Sequence, residues 1–303
     1  MYDWQDDLLN IMHEKLAAMN KIFKDFSSNR LANIDDINEL SFCMNLLYLS
    51  PTSGGKTLVA ELLILYTLLV LKKSCIFVMP FVSIVQEKVQ LMIPFADELN
   101  FLVEEYAGVK GSLPPIKRQS KPTLYICTIE KAHSLVNSLI ETDRLRKEIG
   151  IVVADELHMI GDGSRGAIYE MILSKVKYCS KLTIESNLKL IKGANPASST
   201  KSYLNQPIQI VATTATLQNK SELAKFLDAF MYECDFRPVE LKEYIKVGTQ
   251  VFEVDKANIN KYDEDSEGFV KPVRNLDLRS YTNQMKTADP DGLIALVSLV
   301  FFY

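Results

Sequence analysis

Cysteine is scarce and unpatterned in this chain of 303 residues: Cys43, Cys75, Cys127, Cys179 and Cys234 are odd in number, far apart and in no CxxC pair. That argues against a disulfide framework and a zinc site, and leaves them as small buried hydrophobes. No apolar run reaches the roughly 18 residues of a membrane span. The start, Met1-Tyr2-Asp3-Trp4-Gln5-Asp6-Asp7, has neither the basic residues nor the apolar stretch of a secretion signal. The expectation is a soluble intracellular protein with no membrane partner. Positive charge is not in excess either. A net charge of -4 excludes a protein that holds nucleic acid by bulk positive charge, and leaves room only for a local basic groove. Lys110, Lys117, Arg118 and Lys121 stand without an acid in a stretch broken by Gly111, Pro114 and Pro115. On charge pattern alone that is a solvated loop.

What is present is enough apolar material, 48% of residues, to build a substantial core. From Asn45 to about Val153 short apolar runs alternate with longer amphipathic segments, the pattern of a parallel sheet with crossover helices. The runs place strands at Asn45 to Leu49, Ser74 to Met79, Phe101 to Tyr106, Thr123 to Cys127, Gly150 to Ala154 and Pro207 to Thr213, with helices at Lys56 to Leu71, Phe81 to Leu99 and Glu130 to Ile140. The fold class is a doubly wound α/β domain, in which ligands sit at the carboxyl ends of the strands. Met12 to Phe42 reads as a charged helical segment and Ser186 to Gln206 as a polar loop. After Phe236-Arg237-Pro238-Val239 come short strand-like pieces (Leu241 to Ile245, Thr249 to Val254), a polar linker and an apolar tail, Leu293 to Tyr303. The tail reads as the first helix of a second domain that the chain does not complete, giving domains at 1–238 and 239–303.

Three segments carry chemistry. The first is Ser50-Pro51-Thr52-Ser53-Gly54-Gly55-Lys56-Thr57, which follows a strand and opens a helix, the context of a phosphate-binding loop. Gly54 and Gly55 allow backbone N–H groups to curl around phosphate oxygens, and the helix dipole adds positive potential. Lys56 reaches the β and γ phosphates of ATP, and the Thr57 hydroxyl is a ligand for Mg2+. Such a pattern, with Gly, Ala or Ser first, arises by chance in roughly three of a hundred chains this long. The second is Gly150-Ile151-Val152-Val153-Ala154-Asp155-Glu156-Leu157-His158, an apolar strand ending in two acids. Carboxylates beside a core strand are costly unless they hold a cation or do chemistry. Asp155 is the expected metal ligand, and Glu156 the group that orients and deprotonates water. The third is Val211-Ala212-Thr213-Thr214-Ala215-Thr216-Leu217, three hydroxyls past a strand, of which Thr216 or nearby Asn219 suits a helix cap.

With these segments in order the chain resembles superfamily 2 DNA helicases of the Ski2-like group. The resemblance extends to Pro80-Phe81-Val82-Ser83-Ile84-Val85-Gln86-Glu87-Lys88, Glu104-Glu105-Tyr106-Ala107-Gly108, Thr128-Ile129-Glu130-Lys131-Ala132-His133 and Phe236-Arg237-Pro238-Val239. It implies a RecA-like P-loop NTPase domain plus an incomplete start of a second one, and an ATP-hydrolysing helicase or translocase acting on single-stranded or forked DNA. It further implies 3′ to 5′ movement, a nuclear location and a role in DNA repair. By the same resemblance Gln5 reads adenine, and His158, Thr214 and Thr216 couple the γ-phosphate to domain movement. Pro80 and Thr128 belong to segments that grip the DNA backbone, which makes Lys117 and Arg118 neighbours of the strand. Thr213-Thr214 departs from a usual Met-Ser pair, and the Gln5 to Ser50 interval is long for the group. An arginine finger expected from a second RecA-like domain is absent, so an alternative expectation is an ATP- and nucleic-acid-binding fragment without turnover.

Overall fold

The computed structural model describes residues 2–12, 14, 45–51, 55–116, 121–193, 205–215, 219–238, 242–254, 270–276, 282–294 and 296. They fall into two compact units, Met1–Arg237 and Pro238–Tyr303. In the first unit β1 (Asn45–Leu49), β2 (Ser74–Met79), β3 (Leu102–Tyr106), β4 (Thr123–Thr128), β5 (Ile149–Ala154), β6 (Gln209–Thr214) and β7 (Ala229–Glu233) form one sheet in the order β3-β4-β2-β5-β6-β1-β7. Every pairing in it is parallel. The central strands are buried along almost their whole length, because helices cover both faces.

Alternate strand residues feed two cores. Leu46, Tyr48, Phe77, Ile151, Val153 and Val211 face α1 (residues 3–12), α2 (Lys56–Leu69) and α3 (Val82–Leu99), into which Trp4, Leu8, Val59, Ile64, Val85 and Val89 project. Leu47, Ile76, Val78, Val152 and Ile210 face the other layer, made by α4 (Ile129–Glu141), the short α5 (Leu145–Glu148), α6 (Gly163–Gly193) and α7 (Lys220–Leu227). The α/β fold with a parallel sheet and flanking helices is thus the one expected, with strand ends within two residues of the apolar runs.

One expectation is corrected. Ser186 to Gln206 does not begin as a loop: α6 continues through Gly193. Its polar residues stand at helical spacing and are satisfied by neighbours. Arg146 donates to Thr183 Oγ1 at 3.1 Å and to Ser186 Oγ at 2.9 Å, while Asn187 exchanges bonds with the Asn205 backbone at 2.7 and 3.2 Å. Polar side chains paired across elements occupy positions that composition alone assigns to a surface excursion. Residues 194–204 lie outside the described set, as does nearly all of Met12 to Phe42. Asn219 does precede α7, but its side chain makes no capping bond.

The second unit holds an antiparallel sheet, β8 (Tyr244–Val247), β9 (Gln250–Val254) and β10 (Val270–Asn275), in the order β10-β9-β8. A short α8 (Asn283–Ala288) follows, its first turn capped by Thr282 Oγ1, which accepts from Met285 N–H. The Asp289 carboxylate accepts from the N–H groups of Leu293 and Ile294 at 2.7 and 3.0 Å, and caps the helical turn that opens the apolar tail.

Candidate active site

Sheet order brings the three chemical segments together. Strand β6 lies between β1 and β5. Parallel pairing puts the ends Leu49, Ala154 and Thr214 on one edge, and Ser50 N–H donates to Thr214 O at 3.2 Å. At this edge Gly55 adopts φ +84°, a left-handed conformation that glycine takes without strain, and opens α2. Gln5 reaches it from α1: Nε2 donates to Gly55 O at 2.9 Å, and Oε1 accepts from Tyr2 N–H at 2.8 Å. Thr57 stands half-buried in the first turn of α2. Thr52, Ser53 and Gly54 lie outside the described residues, as do Thr216, Lys117 and Arg118.

Lys56 is 8% exposed, and its Nζ has no hydrogen-bond partner among the described residues. Its nearest countercharge is Glu156 Oε1 at 3.7 Å. A buried ammonium is costly without acceptors, so the position suits a bound anion. Ser50 Oγ and Glu156 Oε2 are buried at the same edge without a hydrogen-bond partner among the described residues, although Glu156 Oε2 has the His158 ring as an ion-pair neighbour. Unmet donors and acceptors gathered at one strand edge fit a polyphosphate with its cation.

The acids differ in how they are held. Asp155 Oδ1 accepts from Thr213 Oγ1 and, at 3.0 Å, from Glu156 N–H, so its orientation is set by the neighbouring strand. Glu156 sits at φ +51°, uncommon for a residue with a side chain, and starts a 3-10 turn, Leu157–Gly161. That conformation turns its carboxylate toward Lys56 and His158. His158 Nδ1 lies 3.2 Å from Glu156 Oε2 and 3.4 Å from Thr214 Oγ1, bridging the acid to the third segment. Two phenols support the frame. Burial first, and the Asp155 carboxylate second, raise the pKa of Tyr48 and Tyr169 well above the ordinary value. Both remain donors, Tyr48 to Lys56 O and Tyr169 to Asp155 O at 2.7 Å.

A second cleft, of about 400 Å³, lies beyond β2 and β4 and is lined by Pro80, Phe81, Gly108, Thr128, Lys131 and Arg165 among others. It unites Pro80 and Thr128, which are 48 positions apart. Arg165 organises one wall. Its Nε donates to Glu130 Oε1 at 2.7 Å, Nη2 donates to Pro80 O, and the guanidinium lies 5.7 Å from the Phe81 ring centroid. The loop that carries Lys110 is pinned alongside: Tyr106 donates to Ser112 O at 2.8 Å, and Arg144, which forks onto Glu148, donates to Pro115 O at 2.6 Å.

Tyr48, Tyr169 and Arg165 are the residues that motif reading misses. The phenols carry no signal in sequence. Arg165 has a faint one, because it stands among Gly161, Gly163 and Gly166, and such a glycine density marks a tight backbone turn.

Residues 35–224 match the family model described as DEAD/DEAH box helicase. Among similar proteins, human "Helicase POLQ-like" is 47% identical over 264 residues, covering 87% of this chain and 21% of the relative. Mouse "DNA polymerase theta" is 41% identical over 209 residues, covering 69% of this chain and 8% of the relative. "ATP-dependent DNA helicase Hel308" of Thermoplasma volcanium is 32% identical over 209 residues, covering 69% of this chain and 26% of the relative. The chain therefore spans about a quarter or less of the length of these relatives.

Proposed function

The chain belongs to the DEAD/DEAH box helicase family, and we propose that Met1–Arg237 is the first RecA-like motor unit of an ATP-dependent DNA helicase or translocase of the Ski2-like group. In this reading the second unit leads into a second RecA-like domain, and the working protein is nuclear and serves DNA repair. The observation that carries the reading is Lys56: buried, without a hydrogen-bond partner among the described residues, and 3.7 Å from Glu156.

Each residue then has a task. The Pro51-Thr52-Ser53-Gly54-Gly55 backbone cradles phosphate, Lys56 binds its β and γ oxygens, and Gln5 stands beside Gly55 to read the adenine. Thr57 and Asp155 hold Mg2+, which neutralises charge on the phosphate oxygens when bound. Glu156 orients a water and accepts its proton at the carboxylate. His158, Thr214 and Thr216 report the state of that acid to the rest of the unit. The cleft at Pro80 and Thr128 takes single-stranded or forked DNA, and Lys117 and Arg118 serve the same strand as cations, in line with the name of the Hel308 relative. Fast hydrolysis requires a further cation from a second domain, since arginine fingers are worth on the order of 1000-fold or more.

Lys56→Ala is expected to weaken binding of a fluorescent ATP analogue by about 30-fold or more, the loss for removing one partner of a desolvated charge pair. Glu156→Gln keeps the lysine and the loop, so it retains binding, and lowers DNA-stimulated hydrolysis about 100-fold or more in a protein carrying both motor domains. Nucleotide binding that survives Lys56→Ala unchanged would remove the basis for this reading.

A further inference from the structure

The turn that carries the acid pair and the cleft that carries Pro80 are joined by one short, tightly bonded piece of chain. Starting at Glu156, backbone bonds run in series: Met159 N–H donates to Glu156 O at 2.9 Å, Asp162 N–H to Met159 O at 2.9 Å, and Gly166 N–H to Asp162 O at 2.8 Å. At the end of the series Gly166 is pressed against the turn, so that a Cβ there would lie 2.1 Å from Ile160 O. Nothing in that contact can give without moving backbone. Arg165, next to Gly166, then reaches out of the turn to Pro80 O and to Glu130 Oε1, the latter at 2.7 Å, and lies over Phe81. Pro80 directly follows β2, and Glu130 lies in the first turn of α4, so a single guanidinium ties together the two walls of the cleft.

We propose that Arg165 is a positioning residue that couples the nucleotide edge to the nucleic-acid cleft, through the rigid turn from Glu156 to Gly166. The inference rests on the function proposed above. It assigns to Arg165 the transmission between two sites, with no contact to nucleotide. A shift of the Glu156–His158 turn on nucleotide binding moves the Arg165 fork, and with it the spacing between Pro80 and Glu130 that a DNA backbone must match. By linkage the effect is reciprocal: DNA changes nucleotide affinity by the same factor that nucleotide changes DNA affinity. An arginine suits the task better than a lysine, because its planar fork fixes the directions of its donors, whereas an ammonium is a point charge on a flexible stem.

The test uses the 303-residue chain, a labelled oligothymidylate, and a non-hydrolysable ATP analogue with magnesium. The quantity read is the ratio of the oligothymidylate dissociation constants with and without nucleotide. A general loss of affinity cancels in that ratio, so it separates coupling from damage to the cleft. Couplings of this kind are about 5- to 150-fold. Arg165→Lys keeps the charge and loses the fork, and is expected to bring the ratio to within about twofold of one. Glu130→Gln, which removes the partner charge from a half-exposed side chain and leaves the arginine in place, is expected to move the ratio toward one as well. If the unaltered chain binds neither probe, the proposed function fails and the inference falls with it. If both probes bind and the ratio is one in the unaltered chain, or is unchanged in both variants, the inference alone is overturned.

Discussion

At Glu130 two opposing effects act on one carboxyl. Burial raises its pKa, while donation from its own backbone N–H and then from Arg165 lowers it by more, so the group is held below its ordinary value of 4.5. A depressed pKa contributes stability that is complete above the unfolded value and is lost as pH falls through the lower folded one. The tie to Arg165 therefore holds at neutral pH, and is released as pH falls through the lowered folded value. Arg165→Ala removes a hydrogen bond and a countercharge together and leaves burial less opposed. The Glu130 carboxyl is expected to titrate at higher pH in that variant, read from carboxyl carbon shifts by NMR. An unmoved midpoint would mean that the backbone N–H and the Thr128 hydroxyl set the value without Arg165. The contrast with Lys56 shows what sequence makes legible at this scale. Phosphate chemistry demands glycine, lysine and a hydroxyl at fixed spacing, so Gly55, Lys56 and Thr57 can be read directly, and Asp155-Glu156 follow once a strand precedes them. Arg165 finds its partners 35 and 85 positions away, and no local pattern records such a contact.

Among the elements, the 3-10 turn Leu157–Gly161 and the start of α6 are fitted to each other more closely than side chains permit. With a Cβ at Gly166 lying 2.1 Å from Ile160 O and 3.1 Å from Met159 O, the backbone of either the turn or the helix has to shift. Gly166→Ala is thus expected to destabilise the first unit by about 1–3 kcal/mol, despite the better helix propensity of alanine. For a unit of this size that lowers the melting temperature by about 2 to 4 °C per kcal/mol. A thermal melt at unchanged or higher temperature would show that the turn yields freely, and would weaken the case for rigid transmission. The strands of this unit were legible because helices cover both faces of the sheet, which leaves apolar runs bounded by turns. The second half of α6 was not, because Thr183 and Asn187 are buried and Ser186 half-buried, and their partners, Arg146 and the Asn205 backbone, are supplied by distant parts of the chain. Strand β7 was missed for a related reason. Edge position leaves three of its five residues only half-buried, so its apolar signal is weak.

Over the whole molecule, chemistry and length are unevenly shared. Every described residue of the nucleotide edge and of the cleft lies in Met1–Arg237, including the packing of Tyr2 on Phe236 at 4.9 Å, which holds the end of this unit against the helix that carries Gln5. Among the described residues, Pro238–Tyr303 and its small antiparallel sheet contribute none of these groups. Binding energy that comes from Lys56, the loop and the acid pair is therefore expected to survive removal of the second unit, because every charge and hydrogen bond described at the site lies within Met1–Arg237. A chain ending at Arg237 is expected to bind a fluorescent ATP analogue with a dissociation constant within about twofold of the 303-residue chain, a difference of about 0.4 kcal/mol. Titration of both proteins at equal magnesium and salt decides it. A loss of about tenfold or more, with the melting temperature of the shortened chain unchanged, would place part of the nucleotide site in the second unit.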